Sequence, residues 1–289
     1  MSAPIVVGHD PHGADDAPLQ FGIATARFTG APLIVVAVDG DAAADPLERA
    51  RARLDATPEV SSELRVVERR NAAQGLTEVL QEVDAGLGVV GTTSRGAVGR
   101  AVVGSTAERV IHDAPCPIAV VPRGFAGGVP RVVGVAYTAS PEADQALRSG
   151  AVLAQAAGAT LRVITVLHED AGTLGPNRLG ARAMQAIPEE LASQHHIAHR
   201  DAVDAAIAET GGEVDSEIEL VYGDPVEALL GFTGSLDVLV MGSRARGPRS
   251  AVLLGGVSRR VTAESRCPVV VLPRGAAHPL RELLARSAT

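Results

Sequence analysis

Hydrophobic and polar positions alternate in blocks along this chain. Short apolar runs, of the kind found in buried parallel strands, are separated by longer stretches of helix length. The predicted strands of the first part are 4–10, 33–38, 63–68, 87–91 and 117–121, and those of the second part are 132–137, 161–166, 217–222, 237–242 and 268–272. Strands that alternate with helices of about 10–15 residues favour a parallel sheet with helices on both faces.

The segments between the first strands carry helix signals. Asp15 and Asp16, followed by Pro18, predict the start of a helix, and Gly30 predicts its end. Further helices are predicted at 43–56, 72–84 and 104–113. The pattern therefore predicts an α/β fold.

The chain also repeats itself at two fixed offsets. Pairs 151 positions apart are Gly91–Gly242, Gly104–Gly255 and Cys116–Cys267, and pairs 128 positions apart are Gly22–Gly150, Gly30–Gly158 and Val38–Val166. The offsets differ by 23, which places one insertion of about that length between Val166 and Val221. We interpret the chain as a tandem duplication.

The duplication predicts two domains, 1–126 and 127–289, joined by a Gly-rich linker at 124–130. The second includes an insertion at about 167–212 and a C-terminal tail at 276–289. Each domain is predicted to be a doubly wound, five-stranded parallel sheet of the flavodoxin-like or Rossmann-like kind. The last strand of each would be an exposed edge, and pairing the two edges would cover both. We therefore expect an intramolecular pseudo-dimer.

The amino-acid composition excludes several kinds of active site and of binding partner. All 26 basic residues are arginine, so a Walker A loop, a lysine Schiff base and a Ser–Lys nucleophile pair are excluded. A net charge of −8, with no Trp and only six Phe and Tyr, argues against nucleic acid as a partner. Cys116 and Cys267 are too few for a disulfide scaffold and are expected to be buried.

The N-terminus does not resemble a secretory signal, and no apolar run reaches the roughly 20 residues that span a bilayer. We therefore expect a cytoplasmic protein without a membrane partner.

The loops after the first and fourth strands hold the candidate chemistry. Asp10 follows the first strand, and a Gly-rich loop runs from Gly91 to Gly104, where the next helix begins. Backbone N–H groups and a helix N-terminus can bind phosphate without lysine, and Arg95 and Arg100 could add charge. A G-x-G-x-x-G match at 86–91 lies inside a strand and does not indicate a dinucleotide fold.

Both copies resemble domains of the universal stress protein family. Its nucleotide-binding members carry an aspartate after strand one and the pattern G-x2-G-x9-G-[ST] after strand four. The first copy matches at Asp10, Gly91, Gly104 and Ser105, with Ser94 in place of the second glycine. The second copy keeps Gly242 and Gly255, but Thr138, Ala245 and Gly256 replace the aspartate, a glycine and the Ser/Thr.

The resemblance implies an ATP site, with Mg²⁺ accompanying the nucleotide. The residues it implies in the first copy are Asp10, Val38, Gly91, Ser94, Arg95, Gly104, Ser105 and Thr106, and those of a weaker second site are Gly242, Arg244, Gly255, Val257 and Ser258. Asp10 would bond the ribose or adenine, and the backbone at Val38 would line the adenine pocket. The replacements at Thr138 and Gly256 are expected to weaken the second site by roughly 2–4 kcal/mol.

The expected role is non-enzymatic ATP binding that reports energy or stress state to protein partners of unknown identity. Two alternatives stay open: a nucleotide-free stress protein that acts only through protein partners, and a slow ATP hydrolase. No catalytic residue is assigned, and a homodimer of whole chains is left open. His195 and His199, one helical turn apart in the insertion, are interpreted as a solvated helix face more readily than as metal ligands.

Overall fold

The computed structural model describes residues 2–11, 13, 15–38, 45–92, 103–167, 189–243, 254–273, 280 and 283, and for 189–196 the backbone alone. The strands are β1 (Ile5–His9), β2 (Leu33–Val38), β3 (Ser62–Val67), β4 (Leu87–Gly91), β5 (Ile118–Val121), β6 (Val132–Ala136), β7 (Thr160–Leu167), β8 (Ser216–Tyr222), β9 (Val238–Gly242) and β10 (Val269–Leu272). The helices are α1 (Ala17–Thr29), α2 (Glu48–Asp55), α3 (Ala72–Glu82), α4 (Ser105–Asp113), α5 (Pro141–Ala157), α6 (Glu189–Ala208), α7 (Pro225–Phe232) and α8 (Gly256–Glu264).

The strands form one sheet in the order β3-β2-β1-β4-β5-β10-β9-β6-β7-β8. All pairs are parallel except the central one, in which β5 and β10 run antiparallel. Each half of the sheet, β1–β5 and β6–β10, therefore has the same internal order, and the two halves meet edge to edge. The predicted α/β fold and the pairing of the two final strands are confirmed.

Two hydrophobic layers sandwich the sheet. One layer packs α1, α2, α5 and α6 against one face, and the other packs α3, α4, α7 and α8 against the opposite face. Both halves contribute to each layer, so the apolar strand residues are covered on both sides, as a parallel sheet requires.

The glycines repeated in α1 and α5 have a steric cause. A Cβ on Gly22 would lie 2.5 Å from a methyl carbon of Val7, and a Cβ on Gly150 would overlap the equivalent methyl of Val135. Helix and strand backbones approach closely at both places, and only glycine permits it.

The helix α2 begins at Glu48, later than the predicted 43–56. The Asp45 side chain accepts a hydrogen bond of 2.9 Å from the Leu47 N–H. This side-chain turn holds 45–47 outside helical geometry, because Asp competes with helix formation by bonding the local backbone.

The linker crosses from one half to the other in a compact path. Gly124, Gly127 and Gly128 have φ of 76°, 84° and 128°, which suits glycine. Between them Phe125 packs edge-to-face on Phe21, with ring centroids 5.9 Å apart. At the end of the linker, the backbone N–H groups of Arg131 and Val132 donate to the Asp237 carboxylate at 2.7 and 2.9 Å.

Two described residues of the C-terminal tail pack against the core. Leu280 and Leu283 are buried among core residues, and Leu283 lies against Gly86 of the first half. Leu283 is 151 positions after Val132, and Gly86 is 151 positions before Asp237. The Leu283–Gly86 contact is therefore equivalent to the contact of Val132 with Asp237 at the end of the linker. Leu283 thus contacts the first half at the place where, in the second half, the end of the linker packs.

The two cysteines are free thiols and both are buried, as predicted. Burial raises the pKa of Cys116 to about 12 and that of Cys267 to about 11. Of the helices in the described part of the chain, none has the length and apolar character to cross a bilayer.

Candidate functional site

A cleft of about 560 Å³ opens in the second half, at the carboxyl ends of β6, β7 and β9. The strand order reverses between β6 and β9, and open parallel sheets bind ligands at this kind of point. Four residues of the predicted second site line the cleft: Gly242, Gly255, Val257 and Ser258. Thr138, at the position of the family's aspartate, lines it as well.

One end of the cleft is apolar. Ile164 and Val166 come from β7, Met241 from β9 and Leu229 from α7. The last residues of buried strands supply this wall, so its apolar character follows from the fold itself. Such a surface suits a planar aromatic group better than a charged one.

The other end is formed by the last residue of β9 and the start of α8. The Gly255 N–H donates to the Ser243 carbonyl at 2.9 Å, and the Ser258 hydroxyl donates to the Gly242 carbonyl at 3.0 Å. These two bonds hold the first turn of α8 against the end of β9. The N–H groups of the first turn of any helix lack acceptors within that helix, so this end can bind an anion.

Glu142 works against anion binding at this site. It lines the cleft from the first turn of α5, and its Cβ lies 3.3 Å from where a Cβ on Gly242 would be. Among the described residues of the lining, Glu142 is the only one with a formal charge near neutral pH. The predicted cation, Arg244, lies outside the described residues.

Tyr137, which lines the cleft, belongs to a largely buried cluster of polar side chains. The Tyr137 hydroxyl donates to Asp144 at 2.9 Å, and its ring meets the His199 ring edge-on with centroids 5.0 Å apart. His199 Nδ1 lies 3.3 Å from the Thr165 hydroxyl. Burial, together with the bond to Asp144, raises the pKa of Tyr137 to about 12.

The interpretation of His199 as part of a solvated helix face is wrong. Its residue exposure is 4%, because α6 turns this side chain towards the polar groups at the end of β6 and β7. A polar Thr165 within an apolar strand was the available sequence signal. The side chain of His195 is not among those described, and within the described residues there is no group of three His, Cys, Asp or Glu suited to a metal.

The corresponding edge of the first half carries different side chains. Asp10 is exposed after β1, while His9 beside it is buried. Arg49 donates to the Gly13 carbonyl and, at 3.2 Å, to Asp16, so it ties the loop after β1 to α2. Burial foremost, and then the Arg49 charge, lower the pKa of His9. Sequence reasoning missed Arg49, whose position depends on where α2 lies.

The other first-half candidates share this edge. Val38 ends β2 and Gly91 ends β4, while Gly104 precedes α4, whose first residues, Ser105 and Thr106, are exposed. Ser94, Arg95 and Arg100 lie outside the described residues. Next to Gly91, the hydroxyl of Thr92 is buried and has no hydrogen-bond partner among the described residues. The fold thus gathers the described candidates of each half at one edge of the sheet.

Known proteins share both the sequence pattern and the fold. A model of the universal stress protein family matches residues 1–122 and 130–273. Universal stress protein Rv2319c of Mycobacterium tuberculosis is 28% identical over 209 residues, which cover 71% of this chain and 70% of that protein.

Two solved structures match along nearly their whole length. A universal stress protein of Pseudomonas aeruginosa UCBPP-PA14 has a TM-score of 0.68 at 18% identity, with 94% of each chain covered. One from Archaeoglobus fulgidus has a TM-score of 0.60 at 18% identity, over 94% of this chain and 96% of its own. At these identities the structures show a shared fold. The family match extends over both halves, and the chain belongs to the universal stress protein family.

Proposed function

We propose that this protein binds an adenine nucleotide, ATP being the one expected, and that binding rather than chemistry is its role. The observation that carries the proposal is the cleft of about 560 Å³ at the carboxyl edge of the second half. Its volume lies within the roughly 300–1,000 Å³ typical of small-molecule sites.

The two ends of the cleft suit the two ends of a nucleotide. The apolar wall around Val166 and Met241 would pack against the base, and the N-terminus of α8 would face the phosphates. Thr138 and Ser140 also line the cleft and would offer hydroxyl groups to the ribose. Mg²⁺ would enter with the phosphates of the nucleotide.

The first half remains, by prediction, the stronger site. It has Asp10, an exposed carboxylate after β1, where the second half has Thr138. It also has Ser105 at the start of α4, where the second half has Gly256. A charged acceptor adds roughly 1.5–3 kcal/mol when it bonds a ligand hydroxyl.

The side chains available at the proposed sites are consistent with slow or absent hydrolysis of ATP. The chain has no lysine to place at a γ-phosphate, and the charged residue described in the second-half cleft is a carboxylate. We propose that the nucleotide state is reported to protein partners. A nucleotide-free protein and a slow hydrolase are the two alternative outcomes of the test.

The test uses a matched pair of substitutions that fill the two sites. Val38 and Val166 occupy equivalent places at the carboxyl ends of β2 and β7, Val166 being one residue before the end of its strand. Val38→Trp and Val166→Trp should therefore each remove ATP binding from one half, as measured by equilibrium dialysis. Circular dichroism checks that each variant is folded. If the double variant binds ATP as well as the parent protein, the sites are wrongly placed. Phosphate release that is lost in the double variant would favour the hydrolase.

A gain of affinity provides a second test. A Cβ on Gly256 meets no atom of the described residues within 4 Å, so Gly256→Ser should fold normally and restore the hydroxyl of the family pattern. We expect ATP binding in the second half to tighten by roughly 0.5–1.5 kcal/mol. Gly231→Ser is the matched control, because Gly231 is equally open but lies outside the cleft. Equal effects of the two substitutions would contradict the proposal.

A further inference from the structure

The junction between the two halves has a pseudo-twofold axis, and the residues on that axis can be identified. Residues 151 or 128 positions apart occupy equivalent places in the two halves. Wherever two equivalent residues face each other, the axis passes between them. In a true dimer of identical halves such residues would have to be the same.

In the helical layer of α4 and α8, the facing pair is Glu108 and Arg259. The Glu108 carboxylate accepts bonds of 3.0 Å from Nε and 2.9 Å from Nη2 of Arg259. The two positions are 151 apart, so equivalent places carry opposite charges. A homotypic junction would place like charges together here.

In the sheet, Ala119 of β5 stands directly opposite Val270 of β10. These positions are also 151 apart, and both residues are fully buried. Side chains directly opposite in an antiparallel pair lie about 4.5–5.5 Å apart at Cβ. A small residue therefore faces a large one at the centre of the sheet.

In the layer of α1 and α5, a cavity of about 60 Å³ lies on the axis. Two equivalent pairs line it, Leu87 with Val238 and Thr25 with Leu153. The Thr25 hydroxyl donates to the Phe21 carbonyl at 2.8 Å, so the polar atom is satisfied within its own helix. The axis again joins unlike residues, a hydroxyl-bearing side chain and an apolar one.

The helical layer and the sheet thus both disfavour pairing of like halves. Two first halves would oppose Glu108 with Glu108 and leave a void between two alanines. Two second halves would oppose Arg259 with Arg259 and crowd two valines where one now fits. Like charges, voids and overpacking each destabilise a close-packed junction.

We propose that each junction edge is specific for the opposite half and rejects a copy of itself. The partner that fits the β5 edge carries a guanidinium at the position of Arg259 and a β-branched residue at the position of Val270. A first half therefore pairs with a second half. It does not pair with the first half of another chain, and a second half does not pair with another second half. This specificity is separate from nucleotide binding and does not depend on it.

Charge inversion in the full chain tests the helical layer. Glu108→Arg and Arg259→Glu should each raise the equilibrium constant for unfolding, and the double inversion should reverse much of the loss. Exposed pairs of this kind couple by about 1.4- to 5-fold in that constant. Urea unfolding followed by circular dichroism suits a protein without tryptophan. Arg260→Glu is the matched control, since Arg260 pairs with Glu264 of its own helix. Rescue of Glu108→Arg by Arg260→Glu as large as that by Arg259→Glu would overturn the proposal.

Cleavage of the linker tests specificity directly. A protease site inserted at Gly128, where a side chain meets open space, allows the folded protein to be cut into its two halves. Native mass spectrometry should then show complexes containing one copy of each half, before and after mixing with isotope-labelled cut protein. Fragments that separate, or that form pairs of like halves as often as unlike ones, would overturn the proposal.

Discussion

The two carboxyl edges of this molecule share one framework but carry different chemistry. In the first half, buried His9 ends β1, exposed Asp10 follows it, and Arg49 extends from α2 to Asp16. In the second half, the equivalent end of β6 has Tyr137, which bonds Asp144 and packs on His199 from α6. The Arg49 guanidinium therefore holds the edge of the first half together, whereas the packed rings of Tyr137 and His199 do so in the second half.

This difference shows which parts of a duplicated domain were held constant. Gly22 and Gly150, which let a helix contact the sheet closely, occur in both halves. The side chains at the ligand edge and on the junction axis differ between the halves. Packing constrains the first group in each domain separately, whereas the second group depends on what each edge contacts.

The largest expected effect concerns how each half is closed. Leu283 is fully buried against the first half, as the linker is held against the second. Leu283→Ala should lower the free energy of unfolding by about 2–5 kcal/mol, because it leaves a cavity. Val129→Ala is the control, since Val129 is 52% exposed, and should change it by less than about 0.5 kcal/mol. Urea unfolding measures both, and equal effects would show that the tail does not close the first half.

The next effect distinguishes the two edges as nucleotide sites. Asp10→Ala should weaken ATP binding by roughly 1.5–3 kcal/mol, because it removes a charged acceptor, while Thr138→Ala should have little effect. Isothermal titration calorimetry measures both. The reverse order would show that the second half is the stronger site.

A smaller effect tests the shared framework. Gly22→Ala and Gly150→Ala should each destabilise the protein by about 1–3 kcal/mol, because the added methyl group overlaps a strand valine. Gly231→Ala, where the methyl group meets open space, should instead stabilise it by about 0.5–1 kcal/mol. Thermal unfolding ranks the three variants. A clear difference between Gly22→Ala and Gly150→Ala would show that the two halves pack differently.

The smallest effect is the response to acid. Burial and Arg49 lower the pKa of His9 below its usual 6.5. The unfolded chain therefore binds a proton at this residue at higher pH than the folded chain does, and stability should fall as the pH drops below about 6.5 towards the native pKa. His9→Gln should reduce this loss, whereas the same change at the exposed His112 should not. Free energies of unfolding at pH 5.5 and 7.5 measure this loss of stability. An equal loss in the His9→Gln and His112→Gln variants would show that His9 is not the source of the acid sensitivity.

The fold followed from the sequence because its strands are buried on both faces. A run such as 87–91 is apolar at every position for that reason, and it became β4 with the same bounds. The repeated offsets then predicted that the second half copies the first. The pairing of β5 with β10 followed from the need to cover two edges.

The side-chain clusters could not be predicted in the same way. Arg49 and His199 reach the ligand edge only because α2 and α6 pack there, and apart from the polar Thr165 in an apolar strand no local pattern indicates either contact. Likewise, Leu283 is buried by residues nearly 200 positions earlier, including Gly86. Contacts between distant segments decide these features, and a single sequence records them only indirectly.

Titration of the nucleotide-stripped chain with ATP, with a count of the molecules bound per chain, tests whether this universal stress protein binds ATP at its carboxyl edges. We expect saturable binding of more than one and at most two ATP molecules per chain, and we expect the tighter class of sites to be lost in Asp10→Ala. No saturable binding at any ATP concentration up to the millimolar range would contradict it.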